Sequence, residues 1–432
     1  MKKIALINHG CAKNLVDSEL ILGILTENGY KITLDENETD IVIVNTCSFI
    51  ADAERESVRT ILELAEKNKK IIVAGCLAQK HADELKKEIP EIVATIGTTD
   101  FKSIIDVIEN IDKQYISNVS AKPQYIYPEY VKRQQITMGA SSYIKIADGC
   151  NYRCGYCVIP FLRGNYSSRK IENIVAEAKL MAKNGVSEII LIAQDTTSYG
   201  IDIYKKPMLS ELIKELDKIN EINWLRIMYA YPTHMTQELL DTISQSKKVV
   251  KYIDIPLQHS HPEMLKLMNR PVNDYKELIK NIRETIPGIS IRTAFIVGYP
   301  GETEEHFEHL YNFVKEMKFD RMGVFCYSRE KGTTSYSIKP QVPKRIAKSR
   351  YKKLMELQQT ISAERNRNLI GKTLPCIIEC YSDYGEVIAR TEYDAPEIDG
   401  VVNIKTNKHL VPGDIENITI TGATEYDLIG EL

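Results

Sequence analysis

The 432-residue sequence lacks any apolar run near the ~18–20 residues needed to span a bilayer, so no membrane partner is expected. It also lacks net charge of one sign. Its 56 basic and 59 acidic residues leave −3 overall, which argues against strong, indiscriminate nucleic-acid binding. Collagen-like repeats, sustained heptads and low-complexity tracts are absent, and 43% hydrophobic with 27% charged residues is the composition of a folded globular chain. The opening MKKIALINHGC superficially resembles an export signal, but its apolar run of about four residues is too short, and none is expected. Single cores rarely grow past ~250–300 residues, so this length implies two to four domains.

What the sequence does have is nine cysteines: Cys11, Cys47, Cys76, Cys150, Cys154, Cys157, Cys326, Cys376 and Cys380. An odd count without an export signal points to a reducing, cytoplasmic setting rather than a disulfide framework. The thiols are then buried apolar groups, reactive groups or ligands, and their context sorts them.

Along residues 1–112, the strand-like runs KKIALI, DIVIV, KIIVA and IVATIG alternate with the helical patterns LVDSELILGILTENG, ADAERESVRTILELAEKN and HADELKKEI. Short apolar strands between amphipathic helices predict a parallel sheet covered on both faces. Cys11, Cys47 and Cys76 each follow a strand, in HGC, NTC and AGC. Strand C-termini form the ligand crevice of such sheets, and the N-terminus of the following helix favours thiolate. Residues 113–138 read as a linker. Residues 139–340 hold six more strand candidates with helices between them: SSYIKIA, SEIILIA, WLRIMYA, VVKYIDIPL, SIRTAFIVG and RMGVFCY. Six β-α units with right-handed crossovers predict an open or partial barrel whose functional groups lie on the loops after the strands. Asp148, Gln194, Asp195, Tyr231, Gln258, His259, Glu302 and Ser328 fall there, His259 and Asp195 reading equally well as structural contacts. A basic helix follows at 341–370, with eight basic and two acidic residues. Residues 371–432 change to short alternating runs, a small all-β barrel with four basic and twelve acidic residues. The fold class is therefore α/β with an added β-barrel.

GCNYRCGYC places Cys150, Cys154 and Cys157 in a Cys-x3-Cys-x2-Cys pattern after the first barrel strand. Three thiolates on one loop can hold three irons of a 4Fe–4S cube, which ordinarily takes four cysteines, and leave one iron open. An open iron can chelate the amino and carboxylate groups of S-adenosylmethionine. A zinc knuckle or redox thiol cluster is the alternative, although zinc would want a fourth ligand at regular spacing. Cys11, Cys47 and Cys76, at equivalent strand ends, suggest a second three-cysteine cluster able to carry sulfur; singly, each also reads as a small buried residue. Cys326 is expected to pack within a strand, and Cys376 and Cys380 within the β-barrel.

At these residues the sequence resembles the radical S-adenosylmethionine superfamily. The resemblance implies that Tyr156 lies against adenine, that TAFIVGYPGETEE contributes Ile296, Gly298 and Glu302 to adenine and ribose contacts, and that Gln194 in LIAQD meets the methionyl part. Two clusters, a radical barrel and a terminal β-barrel of the TRAM type together resemble the methylthiotransferases over essentially the whole chain. GCAKNLVDSE, AQDTTSYGID, IDIPLQHS and TEYDAPEIDGVV resemble the group that acts on an aspartate of ribosomal small-subunit protein twelve. The net −8 of residues 371–432 suits a basic protein better than a phosphate backbone, while +6 at 341–370 could touch RNA.

The resemblance implies two 4Fe–4S clusters and S-adenosylmethionine as cofactors. It assigns Cys150, Cys154 and Cys157 to the radical-generating cluster and Cys11, Cys47 and Cys76 to the sulfur-inserting one. Hydrogen abstraction from the aspartate β-carbon, sulfur insertion and methyl transfer from a second S-adenosylmethionine would give 3-methylthioaspartate. The expected partner is protein twelve, or a ribosomal particle carrying it, bound by a monomer; the reductant and sulfur donor are not specified. Two other readings stay open: a methylthiotransferase for adenosine in transfer RNA, and a non-catalytic iron–sulfur protein that binds nucleic acid or senses redox state.

Overall fold

The computed structural model of the chain describes residues 2–33, 35, 38–39, 41–125, 133–136 and 139–432. Asp40 of the expected strand DIVIV, and 126–132 and 137–138 of the expected linker, lie outside the described residues.

The first unit runs β1 (Lys3–Asn8), α1 (Ala12–Glu27), β2 (Lys31–Thr33), β3 (Ile41–Thr46), α2 (Ala51–Glu66), β4 (Lys70–Gly75), α3 (Cys76–Glu88), β5 (Ile92–Ile96), α4 (Ile104–Asn110) and β6 (Ile116–Asn118). Its sheet is parallel throughout, in the order β2-β1-β3-β4-β5-β6. The central strands are apolar on both faces because helices cover both: Ile41 through Val44 are all buried. β6 falls inside the stretch expected to be linker; Ile116 to Asn118 align beside Ala94 to Ile96 and extend the sheet by one strand. The order reverses between β1 and β3, the switch point where open α/β sheets bind ligands. Helix α1 begins at Ala12, three residues before the expected start. There Asn14 donates to the carbonyls of His9 and Thr46, both 2.9 Å, and secures the extra turn.

The second unit comprises β7 (Ser141–Lys145), β8 (Ala147–Asp148), α5 (Ile159–Arg163), β9 (Ser167–Ser168), α6 (Ile171–Lys183), β10 (Glu188–Ile192), α7 (Ile201–Tyr204), α8 (Leu209–Leu216), β11 (Trp224–Ile227), α9 (Gln237–Gln245), β12 (Val249–Asp254), α10 (Pro262–Leu267), α11 (Tyr275–Thr285), β13 (Ser290–Val297), α12 (Glu304–Met317) and β14 (Arg321–Cys326). Strands β7, β10, β11, β12, β13 and β14 form one parallel sheet in chain order, the wall of an open (β/α)6 barrel. One face packs under the helices in a core that includes Leu191, Leu225 and Phe295. From the other face Tyr143, Ile192, Trp224 and Tyr252 join Val16 and Leu20 of α1 in a single buried cluster. The N-terminal unit therefore closes the open barrel, and α1 is buried nearly all round because it lies between two sheets.

Helix α13 (Lys344–Arg367) packs Ala347, Arg350, Leu354 and Ile361 inward. β15 (Thr373–Tyr381), β16 (Val387–Thr391), β17 (Val402–Lys405), β18 (Ile415–Ala423) and β19 (Leu428–Glu431) then form a closed barrel. Cys376 is fully buried there, as expected, but Cys380 is exposed. A bulge between Ile378 and Cys380 breaks the alternation that would have turned both cysteines inward. Cys326 is likewise exposed rather than packed, because it ends edge strand β14 beside the half-exposed Phe325.

Candidate functional site

Cys11 ends the turn after β1, Cys47 follows β3 and Cys76 opens α3, so the N-terminal thiols occupy the ends of three adjacent strands. Gly10, at φ +106°, makes this approach possible: a Cβ there would stand 2.8 Å from Cys47 Cβ. Burial pushes the Cys76 thiol up to about 12, and burial also raises Cys47; nearby thiols add to both shifts. Such groups ionise when a metal takes their charge.

The barrel triad is equally concentrated. Cys150 follows β8 in a loop reaching α5, with Cys157 N donating to Cys154 O at 3.0 Å. Burial raises Cys150 to about 11 and Cys157 to about 12, with the other thiols of the loop adding to both. Soft donors, three to a set and close enough to sense one another, suit iron–sulfur ligation.

The two triads are neighbours. Cys76 packs against Val158, the residue after Cys157, and Leu162. Behind them runs a buried polar network across the domain junction. Arg163 Nη1 donates to Asp17 Oδ2 at 3.0 Å and Asp148 Oδ2 at 2.8 Å, and its Nη2 donates to Asn14 Oδ1 at 2.6 Å. Lys145 Nζ donates to Asp17 and, at 2.8 Å, to Asp148. Desolvation would raise the Asp148 carboxyl, but Arg163 and Lys145 outweigh it and hold the group well below the usual carboxylate range. The sequence reading missed this network. Its trace is polar Asn14, Asp17 and Ser18 sharing one face of α1 at i, i+3, i+4 spacing.

Gln194 joins the same network, its Nε2 donating to Asp148 Oδ1 at 2.7 Å while its buried Oε1 has no partner among the described residues. Tyr156 and Ile296 come together in one apolar cluster with Met264, Met268 and Tyr299. Gly298 and Glu302 are committed to the fold itself. Gly298 has φ +75°, and a Cβ on it would lie 2.4 Å from Ala347 Cβ, so α13 packs directly over this turn. The Glu302 carboxylate accepts from Gly298 N, from Arg350 Nη1 at 2.7 Å and from His259 at 3.4 Å. Asp195 is saturated by Thr197 and Ser198, so it and His259 both make structural contacts.

His261, Glu263 and His306 place possible ligand atoms within 4.8 Å of one another. However, His261 Nδ1 accepts from Glu263 N and His306 Nδ1 from Thr303 N, both 3.2 Å. The proton of each neutral ring therefore sits on Nε2, and His306 directs its own at Glu263. The trio is a hydrogen-bonded cap.

The chain matches the family described as Uncharacterized protein family UPF0004 over residues 3–97, the Radical SAM superfamily over 144–314 and the TRAM domain over 370–432. The "Ribosomal protein uS12 methylthiotransferase RimO" of Thermoanaerobacter sp. (strain X514) is 50% identical over 437 aligned positions, covering 100% of both chains. That of Rippkaea orientalis (strain PCC 8801 / RF-1) is 49% identical over 434 positions, covering 99% of this chain and 96% of the relative. Among solved structures, the radical S-adenosylmethionine methyltransferase TsrM from Kitasatospora setae, with cobalamin and a [4Fe-4S] cluster bound, superposes with TM-score 0.56 at 15% identity. That match covers 78% of this chain and 77% of TsrM and is a likeness of fold. The chain belongs to the RimO family of ribosomal protein uS12 methylthiotransferases, within the radical SAM enzymes.

Proposed function

We propose that this chain, acting as a monomer in the cytoplasm, methylthiolates the β-carbon of an aspartate in ribosomal small-subunit protein twelve. The observation that carries the reading is the packing of Cys76, of one triad, against Val158, the residue after Cys157 of the other, in a chain half identical to named uS12 methylthiotransferases along its whole length. Cys150, Cys154 and Cys157 hold one 4Fe–4S cluster, and Cys11, Cys47 and Cys76 hold the other. Bound together with S-adenosylmethionine, these groups supply the radical, the sulfur and the methyl group.

The remaining roles belong to this chain's side chains. Gln194 offers its free Oε1 to the methionyl ammonium while Asp148 fixes its amide. Tyr156 and Ile296 provide an apolar seat for adenine. Gly298 and Glu302 act indirectly, by holding the β13 turn against α13. The N-terminal unit, residues 1–112, carries the sulfur chemistry, and residues 139–340 the radical chemistry. The acidic β-barrel favours a basic protein, or the ribosomal particle carrying it, over transfer RNA.

The test is anaerobic incubation with protein twelve, S-adenosylmethionine and reductant, followed by peptide mass mapping and analysis of hydrolysed transfer RNA. A methylthio mass shift on one aspartate is expected; modification of RNA alone overturns the reading. Cys154→Ala abolishes deoxyadenosine formation, whereas Cys47→Ala retains cleavage of S-adenosylmethionine and loses sulfur insertion. Full methylthiolation by Cys47→Ala would break the two-cluster assignment.

A further inference from the structure

Lys13 stands apart among the buried cations of the domain junction. Its side chain leaves the first turn of α1, two residues after Cys11, and only 8% of the residue is exposed. The ammonium lies 3.1 Å above the centroid of the Tyr229 ring. Tyr229 follows β11 at φ +61°, a strained position for a residue with a side chain. This places Lys13 at the C-terminal mouth of the barrel, on the side of the Cys11 triad. Cys11, Asp254 and Asp148 are near enough to act on its charge, Cys11 the most strongly, but Cys11 belongs to its own thiol triad and both carboxylates are already taken. Asp148 accepts from Lys145, Arg163, Gln194 and Gly149 N. Asp254 accepts from Arg292 at 3.1 Å and from Tyr229 N at 3.2 Å. Among the described residues Lys13 has no hydrogen-bonded anion, although Lys145, Arg163 and Arg292 around it each have at least one. A ring face recovers only part of what an ammonium loses on burial.

We infer that Lys13, seated on Tyr229, binds the carboxylate of the aspartate that is modified, and thereby selects a carboxylate side chain at the mouth between the two triads. The inference rests on the function proposed above. An ammonium–carboxylate bond here would fix the substrate side chain through an interaction that an amide makes far less well.

The experiment uses iron-loaded enzyme under anaerobic conditions and two peptides of protein twelve, one with the target aspartate and one with asparagine in its place. Binding is read by fluorescence anisotropy and turnover by mass spectrometry. The wild type is expected to bind the aspartate peptide at least tenfold more tightly. Lys13→Met is expected to erase that ratio, with iron content and the KM for S-adenosylmethionine unchanged; Lys13→Arg recovers part of it. A Lys13→Met enzyme that keeps the ratio overturns the inference. So does one that loses iron, which would make Lys13 a support of the Cys11 triad, or one whose main defect is a raised KM for S-adenosylmethionine, whose own carboxylate would then be the ligand. If Lys13→Met does not fold, Lys13→Arg and Lys13→Gln carry the comparison, and an unchanged ratio in Lys13→Gln overturns it equally. Failure of the wild type to modify the aspartate peptide would instead sink the proposed function.

Discussion

Arg163 directs its guanidinium to Asn14 and Asp17 of the N-terminal unit and to Asp148 of the barrel. Removing one member of a buried ionic network leaves its partners charged and poorly compensated, at a cost of roughly 3–5 kcal/mol. Arg163→Met should lower unfolding stability by about that amount in urea titration, and Arg163→Lys should recover little, since an ammonium does not reproduce the planar fork. Gln194→Leu keeps volume but loses the amide oxygen and the bond to Asp148; it should raise the KM for S-adenosylmethionine about tenfold, ~1.4 kcal/mol, and lower thermal stability by about 1–3 kcal/mol. The barrel triad was legible because its spacing is local: eight consecutive positions hold all three of its cysteines. The commitment of Glu302 was not. Its partner Arg350 lies on a helix 48 residues further on, and nothing in PGETEE announces that contact.

At the scale of elements, strand ends were readable and strand edges were not. β1, β3 and β4 are continuous apolar runs, so their ends, and the cysteines on them, stand out. β6 has three residues, Ile-Ser-Asn, whose strand state depends on the neighbouring β5. The bulge that exposes Cys380 is equally a property of pairing. The contact of β13 with α13 allows a test. Gly298→Ala must move Ala347, 2.4 Å away, and adopt φ +75°, and should cost about 1–3 kcal/mol. Ala347→Gly in the same chain should recover the steric share and leave the backbone share. A thermal-melt cycle over the four variants reads the coupling; simple additivity would show that the two residues do not meet.

At the scale of the whole molecule, the β-barrel docks on the start of the parallel sheet through the segment TEYDAPEID. Arg226 Nη1 donates to Glu392 O at 3.0 Å, Ser290 Oγ to Tyr393 O at 3.0 Å, Arg321 Nε to Asp394 at 2.6 Å and Tyr252 OH to Asp399 at 2.8 Å. The net −8 of residues 371–432 is therefore partly internal: Arg321 and Arg292 neutralise Asp394 and Asp399. The +6 helix answers in kind, with Arg350 on Glu302 and Arg365 on Asp320. Glu188 is the buried keystone of the docking, paired with Arg226 and Arg390. Desolvation would raise its pKa, but the two arginines outweigh it and hold the carboxyl at about 2. A depressed carboxylate stabilises fully above its ordinary value and loses that contribution as pH falls through its folded value. Stability should therefore decline between about pH 4.5 and about pH 2. Glu188→Gln should be destabilised at neutral pH and lack that share of the acid slope in pH-dependent urea unfolding; a slope equal to wild type would exclude Glu188 as its source.

By itself the sequence determined which chemistry this chain can hold and in what kind of scaffold. Ligand spacing within one loop and apolar periodicity within one element are short-range properties, written in consecutive residues. Only the tertiary structure decided how that chemistry is confined. It packed Cys76 against the loop of the other triad, left Lys13 without a hydrogen-bonded anion among the described residues, committed Glu302 to Arg350 and turned the acidic TEYDAPEID segment inward as a dock. Each of these joins residues distant along the chain, and which buried charges find partners is settled only when separate elements are brought to one place.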